Sequence, residues 1–273
     1  MSSTLLAAIL VFVGAVSGVL GTIAGLGGGF VVIPVLRLGF GMAPATTAGV
    51  SLCIVLANAV SGSFAYLRQG RSDVRSAVLV ALGGIPASIA GAILVQHVSF
   101  RDFDLLYAGL LLFFCVYIVR RRHAQPDEVT RHLPRLRERK LVDADGTEFR
   151  YFTSTPLVLA SGVLVGFISS FFGVGGGIIF VPVFIGVFRM PPHVVTATST
   201  LAILLTSPVG LITHLAAHDV DWLFALPLAA GGLIGGQIGP RIAKRLSSPQ
   251  LVTALALLLF LTAISLVAQH VVR

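Results

Sequence analysis

Long apolar runs fill most of the chain, and polar residues are confined to the stretches between them. Eight runs have the length of a membrane-spanning helix, which needs about 17 to 25 residues. Their bounds are 4–24, 44–67, 74–95, 103–119, 156–172, 192–215, 221–240 and 249–268. Two further runs, 28–40 and 176–188, contain only 13 residues each, and a helix of that length reaches about 20 Å. The pattern predicts an all-α polytopic membrane protein.

Three consecutive glycines stand at the start of each short run. They belong to the segments GLGGGFVVIPVL, residues 25–36, and GVGGGIIFVPVF, residues 173–184. A glycine in a helix interior costs about 1 kcal/mol relative to alanine, so we interpret each triplet as a break between two helices. Irregular backbone at membrane depth is tolerated only where protein or water lines it. Close packing of helix backbones is the alternative explanation.

The two glycine segments belong to an internal repeat with an offset of 148 residues. Without a gap, residues 27–29 match residues 175–177, and Pro34 matches Pro182. Of the 82 positions from 14 to 95, 21 are identical to their counterparts, where this composition gives about seven by chance. We therefore predict two repeat units of about five helical segments each.

A hydrophilic segment separates the two units. Residues 120–150 carry nine of the 19 Lys and Arg residues and six of the 11 acids. We predict a first membrane repeat at 1–119, a charged cytoplasmic loop at 120–155 and a second membrane repeat at 156–273. Anionic lipid headgroups are a better partner than nucleic acid for the basic residues of this loop.

Corresponding loops of the two units differ in charge. The loop with Arg68, Arg71 and Arg75 aligns with residues 214–221, which contain no Lys or Arg. The basic loop 241–245 aligns with residues 93–97, next to a segment in which acids outnumber the single Arg101. Because basic loops tend to face the cytoplasm, five crossings per unit place every basic loop there and make the units inverted repeats, a feature of transporters. Four crossings per unit, with the short runs re-entrant, stay open as the alternative.

The short helices predict an anion site. A helix that starts directly after a glycine triplet presents unpaired backbone N–H groups and the positive end of its dipole. Such an end binds anions without a charged side chain, and glycine lets the ligand approach the backbone. The repeat predicts two such ends, starting near Gly29 and Gly177, which face one another near the membrane midplane.

Hydroxyl side chains concentrate after each short run, in APATTAGVSL and PPHVVTATST. They are candidates either for capping free N–H groups or for contacting substrate oxygens. Ser51 and Ser199 are aligned by the repeat, as are Asn58 and Thr206. The candidate substrate-binding side chains are Thr47, Ser51, Asn58, Thr198, Ser199 and Thr206.

Composition excludes several classes of function. Hydrophobic residues make up 56% of the chain and charged residues 11%, which is typical of an integral membrane protein. No acid lies deep in a predicted span, so a buried carboxylate relay is not indicated. The seven His and two Cys residues are too scattered for a metal site or a catalytic group, and we expect neither enzyme activity nor a cofactor. A homo-oligomer is compatible with the sequence.

The paired pattern G-x-G-G-G-x-x-x-x-P resembles the TauE/SafE family, also called the toluene sulfonate uptake permease family. The resemblance covers about 5–119 and 156–270 and omits the central loop. It implies transport of a small sulfur-containing oxyanion, such as sulfite or an organosulfonate, across the cytoplasmic membrane. We expect a secondary carrier, and an anion channel of the same architecture is the alternative. The resemblance implies these binding positions: Gly25, Gly27, Gly28, Gly29, Pro34, Gly173, Gly175, Gly176, Gly177 and Pro182.

Overall fold

The computed structural model of the chain describes residues 3–121 and 137–247, together with residues 249–251, 253, 256, 257, 260, 261, 263 and 264. Residues 122–136 and half of the predicted run 249–268 therefore lie outside the described residues. The helices are α1 (Ser3–Ala24), α2 (Gly29–Pro34), α3 (Pro44–Arg68), α4 (Val74–Leu94), α5 (Phe100–Arg121), α6 (Thr155–Phe172), α7 (Gly177–Gly186), α8 (Pro192–Ala216) and α9 (Trp222–Ala243). The strands are β1 (Arg137–Val142) and β2 (Glu148–Thr153).

Six of the described helices are long and apolar enough to cross a membrane: α1, α3, α4, α6, α8 and α9. Among these six, α3 and α8 are the most buried, and each of the other four packs against one or both of them. The surrounding helices expose large apolar side chains, among them Phe12, Leu82, Leu164 and Leu226, each more than half exposed. Apolar surface of this extent is suited to lipid. The chain is a multi-pass membrane protein, and its short helices α2 and α7 follow the glycine interruptions as predicted.

The long helices of one unit pack mainly against those of the other. Helix α1 packs against α9, and α4 packs against α6. The helices approach so closely that a Cβ on Gly14 would collide with the carbonyl oxygen of Leu228, and a Cβ on Gly162 would collide with that of Val80. These two contacts are related by the offset of 148 residues. Glycine faces therefore let the backbones of the two units touch.

The central helices α3 and α8 run antiparallel. At one end, the backbone N–H of Asp73, just after α3, donates to Thr198 near the start of α8 at 2.9 Å. At the other end, Gly49 near the start of α3 lies against the carbonyl of Asp219, just after α8. Corresponding loops therefore lie at opposite ends of this helix pair. The inverted arrangement of the units in a membrane stays a prediction, which these contacts support.

Part of the charged central segment forms a hairpin. Strands β1 and β2 are antiparallel, with Arg137 opposite Thr153. At the turn, the Asp143 carboxylate accepts hydrogen bonds from the backbone N–H groups of Asp145 and Thr147. Burial opposes ionisation of Asp143, but these hydrogen bonds and the Arg71 guanidinium hold its pKa below the ordinary value. The sequence interpretation as a loop did not include these strands.

The hairpin is held at one end of the helix bundle by ion pairs to both units. Arg139 donates to both carboxylate oxygens of Asp73 at 2.8 Å. Arg71 pairs with Asp143 at 3.1 Å, and Lys244 pairs with Asp145 at 2.7 Å. The three basic segments of the sequence thus meet at one end of the molecule. That this end faces the cytoplasm stays a prediction.

Candidate functional site

The two glycine elements, residues 25–29 and 173–177, each connect a long helix to a short one. Three glycines of each element have φ between +72° and +87°, a region in which side chains are strained. These glycines are Gly25, Gly27, Gly28, Gly173, Gly175 and Gly176. The backbone turns sharply here and re-enters a helix at the following glycine. Positive φ explains why glycine stands at these positions.

The two glycine elements lie directly against each other. A Cβ on Gly29, at the start of α2, would collide with the carbonyl oxygen of Gly173. A Cβ on Gly177, at the start of α7, would collide with the carbonyl oxygen of Gly25. The start of each short helix therefore faces the turn of the other unit, and the close packing considered as an alternative is present here.

The contact between the glycine elements is level with the middle of the central helices. Gly27 and Gly175 both lie against the side chains of Val55 and Ile203. Val55 and Ile203 are near the midpoints of α3 and α8, which contain 25 residues each. The structure thus brings both predicted helix starts together at half the length of the membrane-crossing core.

Ser51 and Ser199 lie at this contact. The Ser51 hydroxyl donates to the carbonyl of Gly173, and the Ser199 hydroxyl donates to the carbonyl of Gly25, both at 2.6 Å. The two bonds are equivalent under the repeat. Each serine therefore links its own unit to the glycine element of the other, and both side chains are fully buried.

Each short helix begins with a backbone N–H group that is not hydrogen-bonded to any described residue. Gly28 and Gly176 precede α2 and α7 in the left-handed conformation and provide no side-chain cap. The described residues supply no hydrogen-bond acceptor to the N–H groups of Gly29 or Gly177. An oxyanion is the ligand that satisfies such groups, because it supplies acceptors and its charge interacts favourably with both helix dipoles.

The other hydroxyl candidates do not point to the glycine elements. Thr47 donates to the carbonyl of Ala43, and Thr206 donates to the carbonyl of Ala202, both within their own helix region. Thr198 accepts from the backbone of Asp73 at the hairpin end. Of the proline candidates, Pro34 ends α2 before a π-helical turn, whereas Pro182 lies inside α7. Both prolines therefore lie in the short helices, beyond the glycine elements.

Asn58 is a buried amide with no hydrogen-bond partner in the described part of the chain. Its side chain is fully buried, and neither its oxygen nor its nitrogen is paired. It lies between α1 and α9, where a Cβ on Gly18 would be 3.0 Å from its Oδ1 atom. An unsatisfied buried polar group costs about 1–3 kcal/mol, so Asn58 is a candidate contact for water or a polar ligand.

Two serines that the sequence interpretation missed also border the glycine elements. The Ser17 hydroxyl donates to the carbonyl of Gly28 at 2.5 Å. Ser169 lies beside Gly176, and its fully buried hydroxyl has no partner among the residues described. Both precede a glycine triplet on the long helix but at different distances from it, so the repeat does not identify them.

A buried ion pair fixes the far end of the first short helix. The Arg37 guanidinium binds the Asp104 carboxylate through two hydrogen bonds of 2.8 and 2.7 Å. Arg37 also donates to the carbonyl of Phe100 at 3.1 Å, and its guanidinium lies 4.7 Å from the centre of that ring. The charge of Arg37 is therefore neutralised within the protein. It does not serve as a free cation for the glycine site.

Comparison with known proteins gives the family. A 28% identical relative over 270 residues, covering 96% of this chain and 98% of its own, is the probable membrane transporter protein YunE of Bacillus subtilis. Probable membrane transporter proteins of Xylella fastidiosa and Methanocaldococcus jannaschii are 32% and 26% identical. They cover 86% and 90% of this chain and 84% and 90% of their own lengths. No solved structure matches the chain.

The family model described as sulfite exporter TauE/SafE matches residues 10–266. The match includes both glycine elements and the hairpin between the units. Since it extends over nearly the whole sequence, the chain belongs to the TauE/SafE family of membrane transporters.

Proposed function

We propose that the protein is a secondary transporter that moves a small anion, a sulfur-containing oxyanion such as sulfite or an organosulfonate, across the cytoplasmic membrane. The observation that carries this proposal is the meeting of two uncapped helix starts, one from each unit, at the middle of α3 and α8. Both starts lie inside the bundle, and no charged side chain of the described residues is among the donor groups around them. Sulfur is proposed because of the family's name, since backbone N–H groups also accept carboxylates.

The donors at the site suit an oxyanion. The N–H groups of Gly29 and Gly177 supply two donors and the positive ends of two helix dipoles. The hydroxyls of Ser51 and Ser199 supply two more, which in this arrangement bind glycine carbonyls. A displacement of one unit against the other breaks both serine bonds at once. The hydroxyls are then free to donate to the anion, which replaces the carbonyl oxygens as acceptor.

Alternating access follows from the same contact. With the two glycine elements pressed together, backbone atoms of one unit occupy the approach to the other. Movement of the units about this contact opens it to one side of the membrane and then to the other, as in repeat-built transporters. The hairpin restricts such movement at its end, because it is ion-paired to Asp73 of the first unit and Lys244 of the second.

The direct test is uptake of labelled anions by liposomes that contain the purified protein. Sulfite, thiosulfate, sulfoacetate, taurine and simple carboxylates are compared at equal concentration. We expect uptake of one or more sulfur oxyanions above that of taurine, whose amino group opposes binding next to helix dipoles. Uptake of none of these compounds contradicts the proposal.

Counterflow separates a carrier from a channel of the same architecture. Unlabelled substrate inside the liposomes accelerates labelled uptake by a carrier, because the binding site returns to the outside faster when it carries internal substrate. A continuous pore gives no acceleration. We expect acceleration, and its absence at a concentration where uptake is measurable favours the channel.

A further inference from the structure

The end of the long helix before each glycine element is held by a side chain from the central helix of the same unit. In the first unit, the Tyr66 hydroxyl donates to the carbonyl of Thr22 at 2.8 Å. In the second, the Nε2 atom of His214 lies 3.0 Å from the carbonyl of Ser170. Tyr66 and His214 are related by the offset of 148 residues, and so are the two carbonyls. One structural contact is therefore made twice with different donors.

These carbonyls belong to the last turns of α1 and α6, where helix carbonyls lack partners within the helix. Thr22 and Ser170 each lie three residues before the first glycine of their glycine element. Ser170 is followed by Gly173, whose own carbonyl accepts from Ser51. The contact between His214 and Ser170 therefore helps to hold in place the segment that leads to the start of α7.

The two donors differ in their chemistry. A tyrosine hydroxyl keeps its proton at physiological pH, because the ordinary pKa of a phenol is about 10. Histidine gains and loses a proton in this range. Replacement of tyrosine by histidine at one of two equivalent positions converts a permanent donor into a titratable one.

Both ring nitrogens of His214 face oxygen acceptors. Nε2 faces the Ser170 carbonyl, and Nδ1 lies 3.3 Å from Oδ2 of Asp219. A neutral imidazole has only one N–H group, so with an ionised Asp219 one nitrogen lone pair would oppose an oxygen lone pair. The arrangement is satisfied when one additional proton is present, on the imidazole or on the carboxylate. The His214 side chain is fully buried, whereas the Asp219 side chain is 16% exposed and gives the proton access from solvent.

We infer that His214 and Asp219 form a binding site for one exchangeable proton, and that occupancy of this site controls how firmly α6 is held next to the second glycine element. With the proton on the imidazole, the ring donates to both Ser170 and Asp219; with the proton on the carboxylate, Nε2 donates to Ser170 and Asp219 donates to Nδ1. When the proton leaves, one of the two contacts is lost. The proton site stands on its geometry alone, and its coupling to anion movement rests on the proposed function.

Few other charges surround this pair. Helix α6 carries no charged or titratable residue, and the only titratable side chain in the nearby half of α3 is Cys53. The loop after α8 contributes His218 and Asp219, α9 starts after Asp221, and the helical turn after α4 ends at His97. Asp219 is thus the carboxylate placed to share a proton with His214.

The test of proton binding uses the full-length protein in nanodiscs with nitrogen-15-labelled histidine. Ring nitrogen signals are followed by NMR from about pH 5 to pH 9, the range around the ordinary histidine value. The His214 signal is the one that His214→Tyr removes. In Asp219→Asn we expect proton binding at His214 to weaken by about tenfold or more, because a carboxylate within hydrogen-bond reach stabilises the imidazolium. Asp221→Asn is the matched control, because its carboxylate caps α9 instead.

Two results overturn the proton site. One is a His214 titration that is the same in the wild type and in Asp219→Asn. The other is a neutral His214 with ionised Asp219 throughout the pH range; infrared spectra of the carboxyl C=O band report the ionisation of Asp219. Neither result depends on transport, so the proton site is decided even if the protein moves no sulfite.

The test of coupling uses sulfite uptake at a series of pH values. His214→Tyr introduces into the second unit the side chain that Tyr66 provides in the first. This change keeps a donor for the Ser170 carbonyl and removes the exchangeable proton. We expect uptake by this variant to lose the pH dependence that the wild type shows. His214→Gln is the second variant, in case the larger ring prevents folding, because its amide N–H also reaches a carbonyl. Identical pH profiles for the wild type and a folded variant overturn the coupling.

Discussion

The two glycine elements share a backbone conformation and differ in their side-chain surroundings. In the first, Ser17 donates to the carbonyl of Gly28. At the equivalent position of the second, Val165 packs against Gly176, and the nearby Ser169 hydroxyl is unpaired among the described residues. The close contact between the two backbones thus requires glycine in both units, whereas the polar side chains around the contact differ between the units. The two helix starts are therefore not equivalent as ligand contacts.

The short helices after the two glycine elements differ as well. Helix α2 changes to a π-helical turn after Pro34, and Arg37 in that turn is held by Asp104. Helix α7 continues as an α-helix through Pro182, and the chain beyond it is contacted by the hairpin, where the N–H of Phe152 donates to the carbonyl of Phe188 at 3.2 Å. One short helix is anchored within its unit by an ion pair. The other is anchored by the segment between the units.

The largest effect that distinguishes the two short helices is expected from Arg37→Gln. This change leaves Asp104 buried without its cation, and breaking a buried ion pair costs about 3–5 kcal/mol. The equivalent position in the second unit is Ile185, so that unit has no such dependence. The measurement is the thermal unfolding midpoint in detergent, followed by the fluorescence of Trp222.

Arg101→Gln is the control for this prediction, because Arg101 is exposed on the same turn of α5 as Asp104. We expect a small change there. The double variant Arg37→Gln, Asp104→Asn should be more stable than the sum of the single changes predicts, because the unpaired charge is gone. Equal midpoints for Arg37→Gln and Arg101→Gln contradict the proposed anchor.

An intermediate effect, equal in both units, is expected from Gly29→Ala and Gly177→Ala. Each added Cβ collides with a carbonyl of the other glycine element, and overpacking of this kind costs about 1–3 kcal/mol. Both the unfolding midpoint and sulfite uptake should fall. Gly39→Ala is the control, because a Cβ there meets no atom within 4 Å. If only one of these two changes is tolerated, the two glycine elements do not contribute equally to the contact.

The smallest effect is expected from an exchange of side chains beside the two triplets. Ser17→Ala removes one hydrogen bond to Gly28, worth about 1 kcal/mol. Val165→Ser adds a hydroxyl at the equivalent position near Gly176. We expect this hydroxyl to give the second unit part of the stabilisation that the Ser17 bond gives the first. The unfolding midpoints of both variants are compared with that of Ser161→Ala, whose hydroxyl bonds within its own helix. If Ser17→Ala has the unfolding midpoint of the wild type, the bond from Ser17 to Gly28 does not stabilise the first element.

Much of the fold was accessible from the sequence, because bilayer thickness and the repeat constrain it strongly. The apolar runs gave the long helices to within a few residues, and the glycine triplets marked the starts of α2 and α7. Alignment by 148 residues brought Ser51 and Ser199 to equivalent places, and both lie at the glycine contact. Their bonds to carbonyls of the opposite unit were not predictable, because the repeat shows which residues are equivalent and not which ones touch.

The missed features depend on contacts between distant positions. Arg37 and Asp104 are 67 residues apart, and no local pattern joins them. The first strand, RERKLV, has four consecutive charged residues and shows no alternation of apolar and polar side chains, so its pairing with 148–153 was not predictable. The equivalence of Tyr66 and His214 is not marked by the identities of the repeat, and a changed residue at an equivalent position is informative only once its partner is known.

The exchange of helix partners between the units has a consequence for biosynthesis. When the first unit has left the ribosome, the glycine face of α1 still lacks α9, and that of α4 lacks α6. The partner helices of these faces are made only with the second unit. The hairpin is made in the interval, when its partner Asp73 already exists and its partner Lys244 does not. The two units therefore mature together, and the helix made late in synthesis completes the packing of the one made first.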